Sequence, residues 1–318
     1  MAYDHQEGLQ DLERLHHAHH KDPENFDLIY HQVRAKLTKK EPSQAPSKKI
    51  QIMAYATALV LVLLIGIHLW ERNQETQIPR IPVLTYHSVM PVSYYYPINV
   101  SNPWILQEAV FYQQMRYLYE NNFNTVTSTQ LIDFLFYEGE LPPNPVIITF
   151  DDGYLDNKLF AAPILRGFGQ TAMLFVVTDF MEDHPQTMAA YPLQFMSWCQ
   201  VPDITDVFEI GSHAHAMHVV EDGISRLVSE SMENVMADVL KSFTFPLTFT
   251  TGFAYPYGQH SHDAITALEN AGVRFAFTTR EAYFTPDTPA MLLPRFSVES
   301  GAYAMTMERF SQTVRGLR

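Results

Sequence analysis

From residue 80 onward, short β-rich apolar runs alternate with stretches of helical spacing, and this alternation constrains the fold more than any other feature of the chain. PVLTYHSV (82–89), NTVTS (124–128), VIITF (146–150), TAMLFVVT (171–178), FEIGSH (208–213), TGFAYPYG (251–258), VRFAFTT (273–279) and LLPRFSV (292–298) read as strands. Helical spacing marks WILQEAVFYQQMRYLYENN (104–122), STQLIDFLFYEG (128–139), LDNKLFAAPILRGFG, MENVMADVLKSF and HDAITALENAG. Strands that alternate with helices over this length predict a parallel sheet or a (β/α) barrel. In barrels of this kind the chemistry sits at the C-terminal ends of the strands.

That rule gives meaning to where the titratable residues fall. Asp151 and Asp152 follow VIITF directly. His213, His215 and His218 follow FEIGS, and Pro256, Tyr257 and Gly258 end another strand. His87 lies near the end of the first strand, and Arg295 lies in LLPRF. Each piece alone has a plainer explanation: an aspartate pair caps helices, PYG makes a turn, and a histidine is often merely packed or solvated. All of them falling at strand ends favours a shared site.

Imidazole and carboxylate together suit a borderline divalent metal, and three protein ligands with an open position define a catalytic rather than a structural centre. Asp152 with two histidines supplies that set. The histidine pair is open at this point: His213 and His218 round the ion from a loop, or His213 and His215 share a strand face. Zn²⁺ is the first expectation, with Co²⁺, Ni²⁺ and Fe²⁺ as alternatives for two nitrogens and one oxygen. Asp151 is then free to take the proton of an attacking water, His87 to protonate the leaving atom, and backbone N–H groups around Tyr257 to hold an oxyanion.

At these residues the chain resembles the polysaccharide deacetylases, the NodB-like carbohydrate esterases. TFDDGY matches their first motif, GSHAHAMH the second and PYG the third, in order, within a resemblance that covers residues 80 to 300. The resemblance implies a distorted (β/α) barrel of the NodB-like type, a divalent metal and removal of N-acetyl groups from an amino-sugar polymer. Histidines five apart in the second motif, and the opening PVLTYHSV, are most similar to the poly-β-1,6-N-acetylglucosamine deacetylase branch. By that likeness Asp151 is the base, Asp152, His213 and His218 bind metal, His87 is the acid, and His215 is the fallback ligand. Many members carry an arginine two residues before the third-motif proline to steady the catalytic aspartate. Here that position is Ala254, and Arg295 is the candidate to take over. Ala214 stands where a Ser or Thr is usual.

Residues 52 to 70, IMAYATALVLVLLIGIHLW, hold no Asp, Glu, Lys or Arg. Nineteen helical residues span about 28 Å, the thickness of a bilayer core, so residues 50–70 read as a single-pass signal anchor. Arg34, Lys36, Lys39, Lys40, Lys48 and Lys49 precede it, which puts residues 1–49 in the cytoplasm and 71–318 outside as the deacetylase domain. Eight of 21 basic and eight of 35 acidic residues precede Ile50, leaving 13 basic and 27 acidic beyond it. Such an exterior excludes nucleic acid as a partner and accepts a neutral or cationic polymer. Cys199 is alone, so no intramolecular disulfide forms.

Three further activities compete: deacetylation of peptidoglycan or chitin-type polymers, silent polysaccharide binding, and glycoside hydrolysis. Intact Asp151, Asp152, His213 and His218 argue against the silent barrel. Adjacent carboxylates cannot face each other across a sugar, which argues against the glycosidase.

Overall fold

The computed structural model describes residues 10, 14, 23–38, 52–53, 55–65, 79–95, 102–188, 193–298 and 304–317. The chain divides into two units, Met1–Gln77 and Ile78–Arg318. In the first, Pro23–Thr38 forms a helix, and residues 52, 53 and 55–65 are helical and exposed. The remainder of the expected anchor lies outside the described residues. Among the described residues, no helix is long and apolar enough to cross a membrane.

The second unit is built on parallel strands. In chain order they are β1 (Val83–Tyr86), β2 (Ser88–Met90), β3 (Ile105–Gln107), β4 (Asn124–Thr125), β5 (Pro145–Asp152), β6 (Ala172–Val176), β7 (Phe208–Ser212), β8 (Val220–Glu221), β9 (Ile224–Ser225), β10 (Gly252–Ala254), β11 (Phe275–Phe277) and β12 (Phe296–Ser297). The main sheet runs β11-β10-β7-β6-β5-β1-β12, with β4 added beside the start of β5. Its pairings are parallel throughout. Among the described residues, β2 leaves this sheet and pairs only with β3.

The sheet curls far enough for its edges to meet. Leu293 donates to the Ala276 carbonyl at 2.9 Å, Thr278 to the Leu293 carbonyl at 2.8 Å, and Arg295 to the Arg280 carbonyl at 3.1 Å. These bonds tie β11 to the segment entering β12, which in turn pairs with β1. β1, β6, β10 and β11 are buried at every position, as strands covered on both faces must be. Inside the curl, Phe175, Phe249, Phe275 and Phe277 pack largely edge-to-face, with Phe175–Phe277 centroids at 5.7 Å.

Helices cover the outside. Glu108–Glu120 buries Phe111, Met115 and Leu118 at i, i+4 and i+7. Met232–Ser242 and His262–Asn270 pack on one another and start at Ser231 and Ser261, whose side chains accept from the N–H groups of Asn234 and Ala264. Ala162–Phe168 ends at Gly169 in the left-handed conformation.

Candidate active site

The aspartate pair ends strand β5 rather than following it. Consecutive strand residues face opposite sides, so an ordinary strand would send one carboxylate away. Asp152 escapes this through a φ of 75°. That left-handed turn aims both carboxylates into one cavity. Gly153 follows at φ 89°, where an added Cβ would lie 3.0 Å from the Val176 and Met181 side chains. Glycine is needed there on both counts.

Asp151 is buried and meets the buried Arg295 guanidinium end on. Nη1 donates to Oδ1 at 2.8 Å and Nη2 to Oδ2 at 2.7 Å. Burial alone would push the Asp151 carboxyl up. The Arg295 charge, a smaller contribution from His213 and the Arg295 hydrogen bonds outweigh it and hold the group well below the usual carboxylate range. Arg295 is itself fixed by Nε donating to the Thr278 carbonyl at 3.0 Å. The guanidinium that Ala254 cannot supply thus comes from the segment entering β12.

Asp152 faces two imidazoles. Its Oδ1 lies 3.4 Å from His218 Nε2 and 3.8 Å from His213 Nε2. One ligand atom from each of the three residues falls within 4.8 Å of the others. Among the described residues the same Oδ1, which is buried, has no hydrogen-bond partner. Burial, with the neighbouring Asp151 charge adding to it, raises the Asp152 carboxyl. A buried acceptor left unpaired between two nitrogens is costly unless a cation serves it. His213 Nδ1 lies 2.7 Å from the Ala254 carbonyl, so it carries the proton and leaves Nε2 bare. Burial lowers His213 to about 3 and lowers His218 as well, so both rings are neutral near pH 7. Donor types, spacing and protonation all fit a divalent metal.

The loop between the two histidines is fixed from outside. Ala214 adopts φ 74°. The Asp238 carboxylate accepts from the His215 and Ala216 N–H groups, each at 2.8 Å. The fallback ligand His215 stays out of the cluster. Its Nδ1 pairs with Thr178 Oγ1 at 2.9 Å and its ring stacks on Phe245. The left-handed turn at Ala214 breaks the strand alternation that would have aligned 213 with 215.

The cavity holds about 480 Å³. His87 enters it half-buried, with its ring 4.5 Å from that of Trp104. Tyr154, Tyr255 and Tyr257 supply aromatic walls, and the Tyr154 hydroxyl faces the Asp152 carboxylate. Pro256–Gly258 forms a single tight turn in which the Gly258 N–H donates to the Tyr255 carbonyl at 2.8 Å. Gly258 therefore has no N–H to offer an oxyanion, and Pro256 has none by nature. That leaves the Tyr257 N–H as the backbone donor of the three, and the Tyr257 hydroxyl lies 3.2 Å from His218 Nδ1. Tyr154, Asp238 and the Ala254 carbonyl are contributions that motif reading does not reveal.

Residues 138–276 match the polysaccharide deacetylase family, a span that holds Asp151, Asp152, His213, His218 and the PYG turn but neither His87 nor Arg295. The poly-β-1,6-N-acetyl-D-glucosamine N-deacetylase of Staphylococcus aureus is 26% identical over 219 residues, covering 64% of this chain and 71% of that one. The Staphylococcus epidermidis enzyme of the same name is 26% identical over 202 residues, covering 61% and 68%. The Streptococcus pyogenes deacetylase PplD, solved with acetate, superposes with a TM-score of 0.61 at 19% identity, over 75% of this chain and 99% of that one. IcaB from Ammonifex degensii gives 0.56 at 23% identity, over 75% and 97%. The family match spans the strands that carry the carboxylates and imidazoles, and the solved structures share the curled parallel sheet. Over residues 138–276 this chain matches the polysaccharide deacetylase domain, and the relatives and solved structures named here are deacetylases.

Proposed function

We propose that the chain is a metal-dependent N-deacetylase of a cell-surface amino-sugar polymer, foremost poly-β-1,6-N-acetylglucosamine, releasing acetate and leaving a free amine. One observation carries this: a partnerless Asp152 oxygen between two neutral imidazoles, beside a second carboxylate kept ionised by Arg295. Asp152, His213 and His218 would hold the metal, with Zn²⁺ the first choice and Co²⁺, Ni²⁺ or Fe²⁺ as alternatives. Bound there, it supplies positive charge to polarise the acetyl carbonyl and to acidify water.

The protein groups divide the proton traffic. Asp151 receives the proton that the attacking water loses. His87, reaching the same cavity, gives a proton to the departing nitrogen, so the amine leaves neutral. Arg295 is a positioning residue, keeping Asp151 charged and fixed in direction. Trp104 and Tyr257 offer ring faces to the sugar. The names of the staphylococcal relatives support the choice of polymer.

Acetate release should be measured in parallel on poly-β-1,6-N-acetylglucosamine, chitin oligomers and peptidoglycan, with and without chelator. Chelator-sensitive release, fastest on the first polymer, is expected. Faster release from peptidoglycan or chitin would move the assignment to that polymer. Binding without release would leave a silent polysaccharide-binding barrel.

The apolar run at 52–70 supports an anchor that holds residues 71–318 outside the cell beside emerging polymer. The full chain should sediment with membranes and resist extraction by high salt. Recovery in the soluble fraction would remove the anchor from this proposal.

A further inference from the structure

His87 stands where the chain leaves the main sheet. β1 ends at Tyr86, and β2 begins at Ser88 in a two-stranded ribbon with β3. The curled sheet therefore does not itself fix the His87 peptide. The fixing comes from the turn after the catalytic strand. The buried Asp156 carboxylate accepts from Ser88 Oγ at 2.6 Å and from the Val89 N–H at 3.1 Å. Its neighbour Asn157, also buried, donates to the His87 carbonyl at 2.7 Å and to Asp156 Oδ1 at 2.9 Å. Every hydrogen-bond donor to Asp156 here is a neutral group. Burial raises its carboxyl to about 7, against the pull of Ser88 and Val89. A buried acid without a cationic partner is expensive to keep. The hydrogen bonds of this one hold Ser88, Val89 and Asn157, and Asn157 in turn holds the His87 carbonyl.

We propose that Asp156, acting with Asn157, is a positioning residue for His87: it locks the His87–Val89 backbone to the turn that carries Asp151 and Asp152, and so fixes the proton donor relative to the base. This rests on the assignment of His87 as proton donor to the leaving nitrogen. The consequence is specific. Loosening the grip should impair only those reactions whose leaving atom needs a proton. Amide cleavage needs one. Hydrolysis of 4-nitrophenyl acetate does not, because its leaving group departs as a stabilised phenolate.

The test compares the full chain with His87→Ala, Asp156→Ala, Asp156→Asn and the double variant His87→Ala/Asp156→Ala. Each is assayed on an N-acetylglucosamine oligomer and on 4-nitrophenyl acetate, with thermal melts to confirm folding. His87→Ala is expected to lose about 10²-fold or more on the amide while ester cleavage changes little. Asp156→Ala should show the same selective loss at smaller size, about tenfold or more, and should add nothing to His87→Ala in the double variant. Asp156→Asn, equal in volume, should shift the amide-to-ester ratio in the same direction and covers the case in which Asp156→Ala does not fold. If His87→Ala is selective but neither Asp156 variant that folds moves the ratio, or the losses simply multiply in the double variant, the positioning role is wrong and the acid assignment stands. If His87→Ala itself is not selective, the acid assignment fails and takes the inference with it.

Discussion

Asp151→Asn is expected to lower kcat/KM for deacetylation by about 10²- to 10⁴-fold, the contribution of a positioned proton acceptor. The amide keeps the shape and removes the basicity. It should also destabilise the domain, because Arg295 is buried and would lose its countercharge. Breaking a buried pair from one side costs about 3–5 kcal/mol. For a domain of this size that lowers Tm by roughly 6–20 °C. Activity must therefore be measured well below the variant's own midpoint. The double variant Asp151→Leu/Arg295→Met separates the two effects. Replacing both charges with apolar groups should recover most of the lost Tm, as removal of a whole buried pair often does, yet leave the enzyme inactive. If activity returned with stability, Asp151 would be structural and the proton would go elsewhere. The wild-type sign also follows. A carboxylate whose folded pKa is depressed adds stability above the ordinary value near 3.9, and that stability disappears as the pH falls below it.

Asp152→Ala is expected to take the purified domain from near-stoichiometric to negligible divalent metal content, read by elemental analysis, and to abolish activity by more than about 10³-fold. Loss of an outer-shell partner already costs 10- to 100-fold in such sites, and an inner ligand costs more. His213→Ala and His218→Ala should behave alike. His215→Ala is the informative contrast. Its ring is committed to Thr178 and Phe245, so metal content should be unchanged. Metal retained by Asp152→Ala, or lost by His215→Ala, would redraw the ligand set.

Much of this architecture was legible because periodicity and punctuation agree. VIITF, TAMLFVVT and FEIGSH all mark strands that the fold contains, and the helices at 232–242 and 262–270 lie within one residue or two of their patterns. WILQ was less legible: its helical spacing hid a strand, Ile105–Gln107, that exists only because β2 is there to pair with it. The site was legible as a set of residue types at strand ends. Three local facts were not. The left-handed φ of Asp152, which points adjacent carboxylates the same way, has no side-chain signature. His215 drops out because of a backbone turn at an alanine. The commitment of the Gly258 N–H to Tyr255 depends on the tightness of one turn. Each is a property of φ and ψ, to which hydrophobic pattern is blind.

The pairing of Asp151 with Arg295 joins positions 144 residues apart. A ribosome delivers the first of these partners long before the second. Until the later one arrives, the earlier carboxylate has no fixed companion, and the two edges of the sheet remain open. Competence would therefore come late and all together: a chain interrupted between His218 and Arg295 would hold the three residues proposed to grip a metal and still lack the partner of its proposed base.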